Sequence, residues 1–277
     1  MRLSNRDKRL LELLKKYEVL SSRIIRHELF PKTVETNFFR RLRELESGRY
    51  IRRIGPMNDH SYAWVLGSAG RDLYGVFAFE AQKNRLTVEH DIALAEVRMR
   101  MQTLGLAKHL VPESTLRREA LRKKESYEEK GKPQIIPDAL FPVLMGDSAV
   151  VFALEVELSL KNQQRYQELF HRYYCSNEIK SIWYLTKTKE LGKKIEEEFY
   201  RFYRRSNRNF QISQRFGFTV LGDFLKSPQN CLVYRQGFSE NIQDWFYLQP
   251  PKNHCQSQDH NTDQSLIDSS SKKQGAA

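Results

Sequence analysis

The sequence predicts an α/β (α+β) protein with two folded units, the second built on a mixed β-sheet. Three observations lead to this prediction. Residues 1–80 read as three amphipathic helices followed by a short hairpin, and residues 81–249 read as an apolar hairpin followed by alternating helices and strands. Residues 250–277 have few apolar side chains and no periodicity, so we expect a disordered tail. The 277 residues are enough for two domains of ordinary size.

The first 80 residues have the element order of a winged helix-turn-helix. We expect helices over residues 5–16, from Ser21 or Ser22 to about Leu29, and over residues 33–48, where Thr33 opens the helix and Gly48 ends it. Two short apolar segments separated by a polar turn follow, and we expect them to form a two-stranded wing.

Basic residues dominate the third helix and the wing. The whole chain has 46 Lys and Arg against 34 Asp and Glu, a net charge of +12, which favours nucleic acid or an anionic membrane as a partner. A positive patch on a helix and wing suits contacts with DNA phosphates. A fold that binds protein, or a basic face that is merely solvated, remains the alternative. The predicted DNA-binding residues are Arg40, Arg41, Arg43, Arg49, Arg52 and Arg53.

Several classes of protein are not expected from the composition. No apolar segment approaches the roughly 18 residues that cross a bilayer, and the N-terminus lacks the apolar core of a signal peptide. The 3 cysteines show no CxxC spacing and the 7 histidines no HExxH or HxH cluster, so neither a disulfide framework nor a histidine-rich metal site is expected. We therefore expect a cytoplasmic protein without membrane insertion.

The most informative segment covers residues 137–161 and reads as an antiparallel hairpin. Asp138 lies near the start of its first strand, while Glu155 and Glu157 share one face of an otherwise apolar second strand. Buried carboxylates repel one another unless a cation or a hydrogen-bond donor compensates them. Because oxygen ligands suit hard cations, the cluster predicts an Mg²⁺ or Mn²⁺ site. The alternative is an edge strand with a solvated acidic face.

Further elements surround this hairpin. We expect a connector over residues 76–85, and then a helix from Thr87 or Glu89 whose acidic residues either reach the metal site or favour the helix dipole. A charged helix from residue 113 should lie at the surface or face DNA. After the hairpin, we expect a helix over 162–174, a strand over 181–186, another helix, and possible edge strands within 216–225 and 230–236.

The spacing of Pro137-Asp138 and Glu155-Val156-Glu157 resembles the core of the PD-(D/E)XK nuclease superfamily. The resemblance implies that Asp138 and Glu155 hold the metal ion. Glu157 replaces the usual lysine and would serve as a metal ligand or as a general base. Lys161 has the same strand parity as Glu157 and could supply the missing positive charge.

The layout from Arg6 to Phe224 resembles the replication-relaxation family, in particular MobC-type relaxases of mobilizable plasmids, with a restriction endonuclease-like second domain. The resemblance implies metal-dependent nicking of one DNA strand at a transfer origin for conjugative mobilization. Its implied partners are double-stranded and nicked origin DNA and the accessory or coupling proteins of transfer. A replication or transcription regulator with a silent nuclease-like domain is the alternative, and a nuclease that cuts both strands is a weaker one. The resemblance favours water as nucleophile, although tyrosines are present at 166, 173, 174, 200 and 203.

Overall fold

The computed structural model describes residues 2–57, 61–76, 85–126, 136–145, 148–176, 178–205 and 216–246. Most of the predicted connector, the predicted domain boundary at residue 80 and the predicted disordered tail lie outside these ranges. The described residues form helices and two sheets, the larger of which is mixed, so the predicted α/β class is confirmed.

The described N-terminal part contains four helices and a small antiparallel sheet of three strands. The elements are α1 (Asn5–Tyr17), β1 (Leu20–Ser21), α2 (Ser22–Leu29), α3 (Glu35–Ser47), β2 (Ile51–Ile54), β3 (Ala63–Leu66) and α4 (Ser68–Tyr74). The first three helices and the hairpin of β2 and β3 follow in the predicted order. The strands are arranged β1-β3-β2, so β1, which was not predicted, adds to the free side of β3.

Side-chain caps explain where the first two helices begin. The Ser4 hydroxyl accepts from the peptide N–H of Asp7, whose carboxylate accepts from the peptide N–H of Ser4 at 2.7 Å. The Ser21 hydroxyl accepts from the N–H of Ile24 and caps α2.

The predicted ends of the third helix need correction. Thr33 does not cap α3, which begins at Glu35 after Val34 without a side-chain cap. Gly48 follows the helix as predicted, but its φ is −76°, and the left-handed conformation belongs to Arg49, with φ 58°.

The second part is built on a seven-stranded sheet. Its elements are α5 (Arg85–Met101), a 3₁₀ turn (Leu106–His109), β4 (Val111–Pro112), α6 (Glu113–Ser126), β5 (Ala139–Met145), β6 (Ser148–Glu157), α7 (Gln163–Cys175), β7 (Ile179–Thr186), α8 (Lys189–Arg205), β8 (Phe216–Val220), α9 (Leu221–Lys226), β9 (Leu232–Arg235), β10 (Phe238–Asn241) and α10 (Ile242–Trp245). The strand order is β10-β9-β8-β7-β6-β5-β4. Strands β6, β7 and β8 are parallel neighbours, and the remaining pairs are antiparallel.

The C-terminal strands differ from the prediction. The segments 216–225 and 230–236 do not form edge strands, because β8 lies between β7 and β9, and β9 lies between β8 and β10. After β8 the chain continues as helix α9. The described edges are the short strands β4 and β10, which the sequence did not predict. Sheet order depends on contacts between distant segments, which local periodicity does not report.

Alternating side chains of β6 and β7 enter two separate cores. Leu154 and Trp183 belong to the core that includes residues of α5, α9 and α10. Ala153 and Tyr184 belong to the core under α7 and α8. The glutamates of β6 have the parity of Ala153, so they lie on the side of the sheet that α7 and α8 cover.

Helix α5 belongs to both parts of the molecule. Val97 and Met101 pack into the core of the large sheet, whereas Ala95 packs into the N-terminal core. This helix begins at Arg85, earlier than predicted.

Candidate functional site

The acidic site forms where the β5–β6 ladder ends. Ala139 pairs with Leu154, and continuing this antiparallel register places Asp138 opposite Glu155 and Pro137 opposite Val156. Proline has no N–H to donate, so the ladder stops at this point. The Asp138 carboxylate accepts from the N–H of Val156 instead, at 2.7 Å.

His90 of α5 contacts Asp138 and Val156 at this end of the β5–β6 ladder. Its Nε2 lies 3.0 Å from Asp138 Oδ2 and 3.0 Å from the carbonyl oxygen of Val156. Burial lowers the pKa of His90, but hydrogen bonding to Asp138 and to Asp91 outweighs this effect and raises the pKa to about 10. His90 is therefore a cation at neutral pH. Its contact with Asp138 connects helix α5 to the acidic site.

Glu155 is buried and accepts a hydrogen bond from the hydroxyl of Tyr173 on α7. Burial raises the pKa of Glu155, and the negative charge of Asp138 raises it further, while the Tyr173 hydrogen bond opposes both effects. The carboxyl group is thus held in a place that disfavours its negative charge.

Glu157 is also buried, and Lys161 compensates its charge. Lys161 Nζ lies 2.5 Å from Glu157 Oε2, and the hydroxyl of Tyr166 lies 3.5 Å from the same oxygen. Burial raises the pKa of Glu157, and Lys161 acts in the opposite direction. Lys161, which we expected to supply the missing positive charge of the site, thus lies beside Glu157. Burial of both glutamates on an internal strand contradicts the alternative of a solvated acidic edge.

Tyr184 adds a buried hydroxyl to the same face. It lies opposite Glu155 on the neighbouring strand β7, and within the described residues its hydroxyl has no hydrogen-bond partner. Burial raises the pKa of Tyr184 well above its ordinary value, with Glu155 and Glu157 as further causes.

The sequence analysis did not assign His90, Tyr173 or Tyr184 to the site. Tyr173 follows Tyr166 by seven residues, two helical turns, and this spacing indicates a shared face of α7. Tyr184 has the strand parity of the face that the glutamates occupy. No local pattern identifies His90, because its contact with Asp138 spans 48 residues.

The donor chemistry of this site fits a hard divalent cation. Asp138, Glu155 and Glu157 supply carboxylate oxygens, and burial raises the pKa of both glutamates, so a bound cation would stabilise their charged forms. In the described part of the chain, no group of three or more His, Cys, Asp and Glu side chains is arranged to hold a metal ion. Each carboxylate faces its own donor, so an ion would have to replace some of these contacts.

The predicted DNA-binding arginines of α3 fall into two groups. Arg40 and Arg43 are exposed. Arg41 is largely covered: its Nε donates to Asp7 Oδ1 at 3.0 Å, and its Nη1 donates to Glu44 Oε2 at 2.6 Å. Because Asp7 is buried, Arg41 holds α1 and α3 together.

The arginines near the hairpin are all exposed. Arg49 lies between α3 and β2, and Arg52 and Arg53 lie on β2. The guanidinium of Arg53 lies 3.7 Å from Glu46 and over the ring of Tyr62, at 4.9 Å from its centroid. Exposed basic side chains therefore follow α3 and the first strand of the hairpin.

These features define a class of protein in which a basic domain of helices and a small antiparallel sheet precedes a mixed-sheet domain with a buried acidic site. The family model for replication-relaxation proteins matches residues 11–182, and the chain belongs to this replication-relaxation family. Membership associates it with replication or relaxation of plasmid or mobile-element DNA and implies interaction with DNA. Neither the curated proteins nor the solved structures contain a significant match. None of the described helices is long and apolar enough to cross a membrane.

Proposed function

We propose that the protein is a metal-dependent relaxase that nicks one strand of DNA at the transfer origin of a plasmid or mobile element. The observation that carries the proposal is that Asp138, Glu155 and Glu157 lie at the end of one hairpin, where burial and the charge of Asp138 raise the pKa of both glutamates. Family membership, which implies interaction with DNA, supports DNA as the substrate in this proposal. Accessory or coupling proteins of conjugative transfer would act with it.

Asp138, Glu155 and Glu157 would hold an Mg²⁺ or Mn²⁺ ion. When bound, such an ion polarises the phosphodiester and lowers the pKa of a water molecule. Glu157 would serve as a metal ligand or as the general base, because burial raises the pKa of its carboxyl group while Lys161 acts in the opposite direction. Lys161 would leave Glu157 and place its charge next to the scissile phosphate.

Buried tyrosines support water as the nucleophile. Tyr166 and Tyr173 donate to the site glutamates, and both side chains are buried. Burial raises the pKa of each hydroxyl, which disfavours the phenolate needed for attack on phosphorus. We assign both residues to holding the glutamates.

Nicking of supercoiled plasmid DNA tests the proposal. With Mn²⁺ and origin DNA, the protein should convert supercoiled plasmid to the open circle, and Glu157→Gln should lower the rate by at least about 10²-fold. Glu178→Gln is the matched control, because Glu178 is exposed beyond the other end of β7. Intact plasmid after incubation with the wild-type protein, or equal nicking by Glu157→Gln, contradicts a metal-dependent nuclease. Linear product would favour cleavage of both strands.

The N-terminal domain would bind the origin as a winged helix-turn-helix. The exposed residues of α3 repeat at intervals of one or two helical turns, as expected for a helix in the major groove, and exposed arginines lie on the adjoining strand. Arg41 is not part of this surface in our proposal, because its donors bind Asp7 and Glu44. The α3 surface consists of Thr36, Asn37, Arg40, Arg43 and Ser47.

Salt dependence of DNA binding tests this surface. Arg40→Ala and Arg43→Ala should each weaken binding and reduce the slope of log K against log salt by about 1, because each removes one phosphate contact. Lys226→Ala removes the same charge from an exposed position on α9 and should leave both quantities unchanged. If all three substitutions weakened DNA binding equally, the protein would attract DNA through its net charge alone, and the proposed α3 surface would be contradicted.

A second candidate is a DNA-binding regulator whose nuclease-like domain is silent. The ion pair between Lys161 and Glu157 favours it, because this contact compensates a site carboxylate without a metal. Thermal unfolding with and without Mn²⁺ separates the two candidates, since an ion that binds the native state raises the melting temperature. No shift at millimolar Mn²⁺ would support the regulator, and a shift that Glu155→Gln abolishes would support the nuclease.

A further inference from the structure

We propose that His90 is a positioning residue: it fixes the carboxylate of Asp138 at the acidic site and ties that carboxylate to the helix shared with the N-terminal domain. The geometry of Nε2 carries the inference. This nitrogen lies 3.0 Å from Asp138 Oδ2 and 3.0 Å from the carbonyl oxygen of Val156. Both neighbours are acceptors, so Nε2 must carry the hydrogen and donate.

The site needs a donor at this position because β5 begins only at Ala139 and supplies none. Pro137 and Asp138 precede the strand, and proline cannot donate to the carbonyl of Val156. The side chain of Asp138 is only 12% exposed, so little water can replace a missing donor. His90 and the N–H of Val156 together hold one carboxylate oxygen from two directions.

Helix α5, which carries His90, is itself attached to the N-terminal domain. Further along α5, Glu96 forms an ion pair with Arg23 at 2.9 Å. Arg98 donates to the carbonyl oxygen of Lys16 at 2.9 Å, and the side-chain amide of Gln102 donates to the hydroxyl of Tyr17 at 2.9 Å. These contacts reach α1 and α2 of the N-terminal domain. The orientation of Asp138 therefore depends on a helix that the N-terminal domain holds in place.

In the proposed nuclease, His90 would act through Asp138 and would not touch the substrate. This role in catalysis rests on the proposed function, whereas the hydrogen bonds of His90 do not depend on it. His90→Leu removes the donor while retaining side-chain volume, and His90→Gln restores an N–H donor without an imidazole. Comparison of these two variants separates positioning from simple packing.

Amide hydrogen exchange tests the positioning role without a metal or DNA. In His90→Leu the amide of Val156 should exchange about tenfold faster than in the wild-type protein, because its acceptor Asp138 is no longer fixed. His90→Gln should restore slow exchange. The amides of Leu154 and Trp183, in the same sheet, should be unchanged. Unchanged exchange at Val156 in His90→Leu, or faster exchange at all three amides, would overturn the inference.

Mn²⁺ titration in the absence of DNA then tests the consequence for the site. We expect His90→Leu to weaken Mn²⁺ binding by about 10- to 100-fold and His90→Gln to recover most of the loss. Equal impairment of both variants would show that the imidazole itself is required and would contradict positioning. Absence of Mn²⁺ binding to the wild-type protein would contradict the proposed nuclease, while the exchange result would still decide the role of His90.

Discussion

At the scale of single residues, each carboxylate of the acidic site has a different donor. His90 holds Asp138, a tyrosine hydroxyl holds Glu155, and Lys161 holds Glu157. Three different donors keep three acidic groups close together in a place that water hardly reaches. Removing any one donor should therefore lower the stability of the folded protein and not only the rate of the proposed reaction.

Tyr173→Phe tests this dependence. The substitution keeps the ring and removes the hydroxyl that donates to buried Glu155, so the free energy of unfolding should fall by about 1–3 kcal/mol. Urea denaturation measures the change. Tyr234→Phe is the control, because the ring of Tyr234 on β9 stacks on Phe218 and the substitution keeps this ring, and we expect a change within about 0.5 kcal/mol. Equal stability of Tyr173→Phe and the wild-type protein would show that Glu155 does not need this donor.

Asp7→Asn tests the buried ion pair of the N-terminal domain through its pH dependence. Burial raises the pKa of Asp7, but hydrogen bonds from Arg41 and Ser4 outweigh this effect and hold the pKa below its ordinary value of 3.8. The stabilisation by the carboxylate is therefore complete above pH 3.8 and is lost as the pH falls through the lower, folded-state pKa. Asp7→Asn should lower the free energy of unfolding by about 2 kcal/mol at pH 7.

The difference between Asp7→Asn and the wild-type protein should shrink below pH 3.8, as measured by urea denaturation at pH 7 and pH 3. Asp72→Asn serves as the control, because Asp72 is exposed on α4, and its effect should be small at both values. A difference for Asp7→Asn that is the same at pH 7 and pH 3 would contradict the assigned ion pair.

At the scale of elements, α8 closes the core above the sheet through one glycine. A Cβ at Gly192 would lie 2.1 Å from a ring atom of Phe218 on β8, so only glycine lets the helix lie this close to the ring. Ile195 and Phe199 follow on the same buried face of α8. The position of α8 also determines how the core around Tyr184 is covered.

Gly192→Ala should lower the free energy of unfolding by about 1–3 kcal/mol, because overpacking exceeds the gain of up to about 1 kcal/mol in helix propensity. Gly222→Ala provides the matched control on α9, where a Cβ would meet nothing within 4 Å. That substitution should be neutral or stabilising by up to about 1 kcal/mol. Thermal and urea unfolding of both variants measure the effects. A stabilised Gly192→Ala would contradict the close packing of α8.

At the scale of the whole molecule, the helices and strands that the sequence predicted correctly are those that depend on local residue patterns. Alternation along 148–157 predicted β6 and placed its glutamates on one face, and the periodicity near the N-terminus predicted α1, α2 and α3. Asp138 was found through its spacing from Glu155, and the register of β5 and β6 places them opposite each other.

The unpredicted features depend on distant contacts or on short segments. The internal position of β8 is set by pairing with β7 and β9, and β4 is too short to show alternation. His90 reaches Asp138 because α5 packs on both cores, an arrangement that the order of residues does not encode locally. From the sequence, Arg41 was predicted to contact DNA. Its partner Asp7 lies 34 residues away, so no local pattern reveals their ion pair.

The central claim is that the acidic site binds a divalent cation for DNA cleavage. Anomalous diffraction from crystals of the protein grown with Mn²⁺ tests it most directly. We predict a peak with carboxylate oxygens of Asp138, Glu155 and Glu157 at about 2.1 Å, and Lys161 turned away from Glu157. No peak at the site at millimolar Mn²⁺, with Lys161 still bound to Glu157, would contradict the claim.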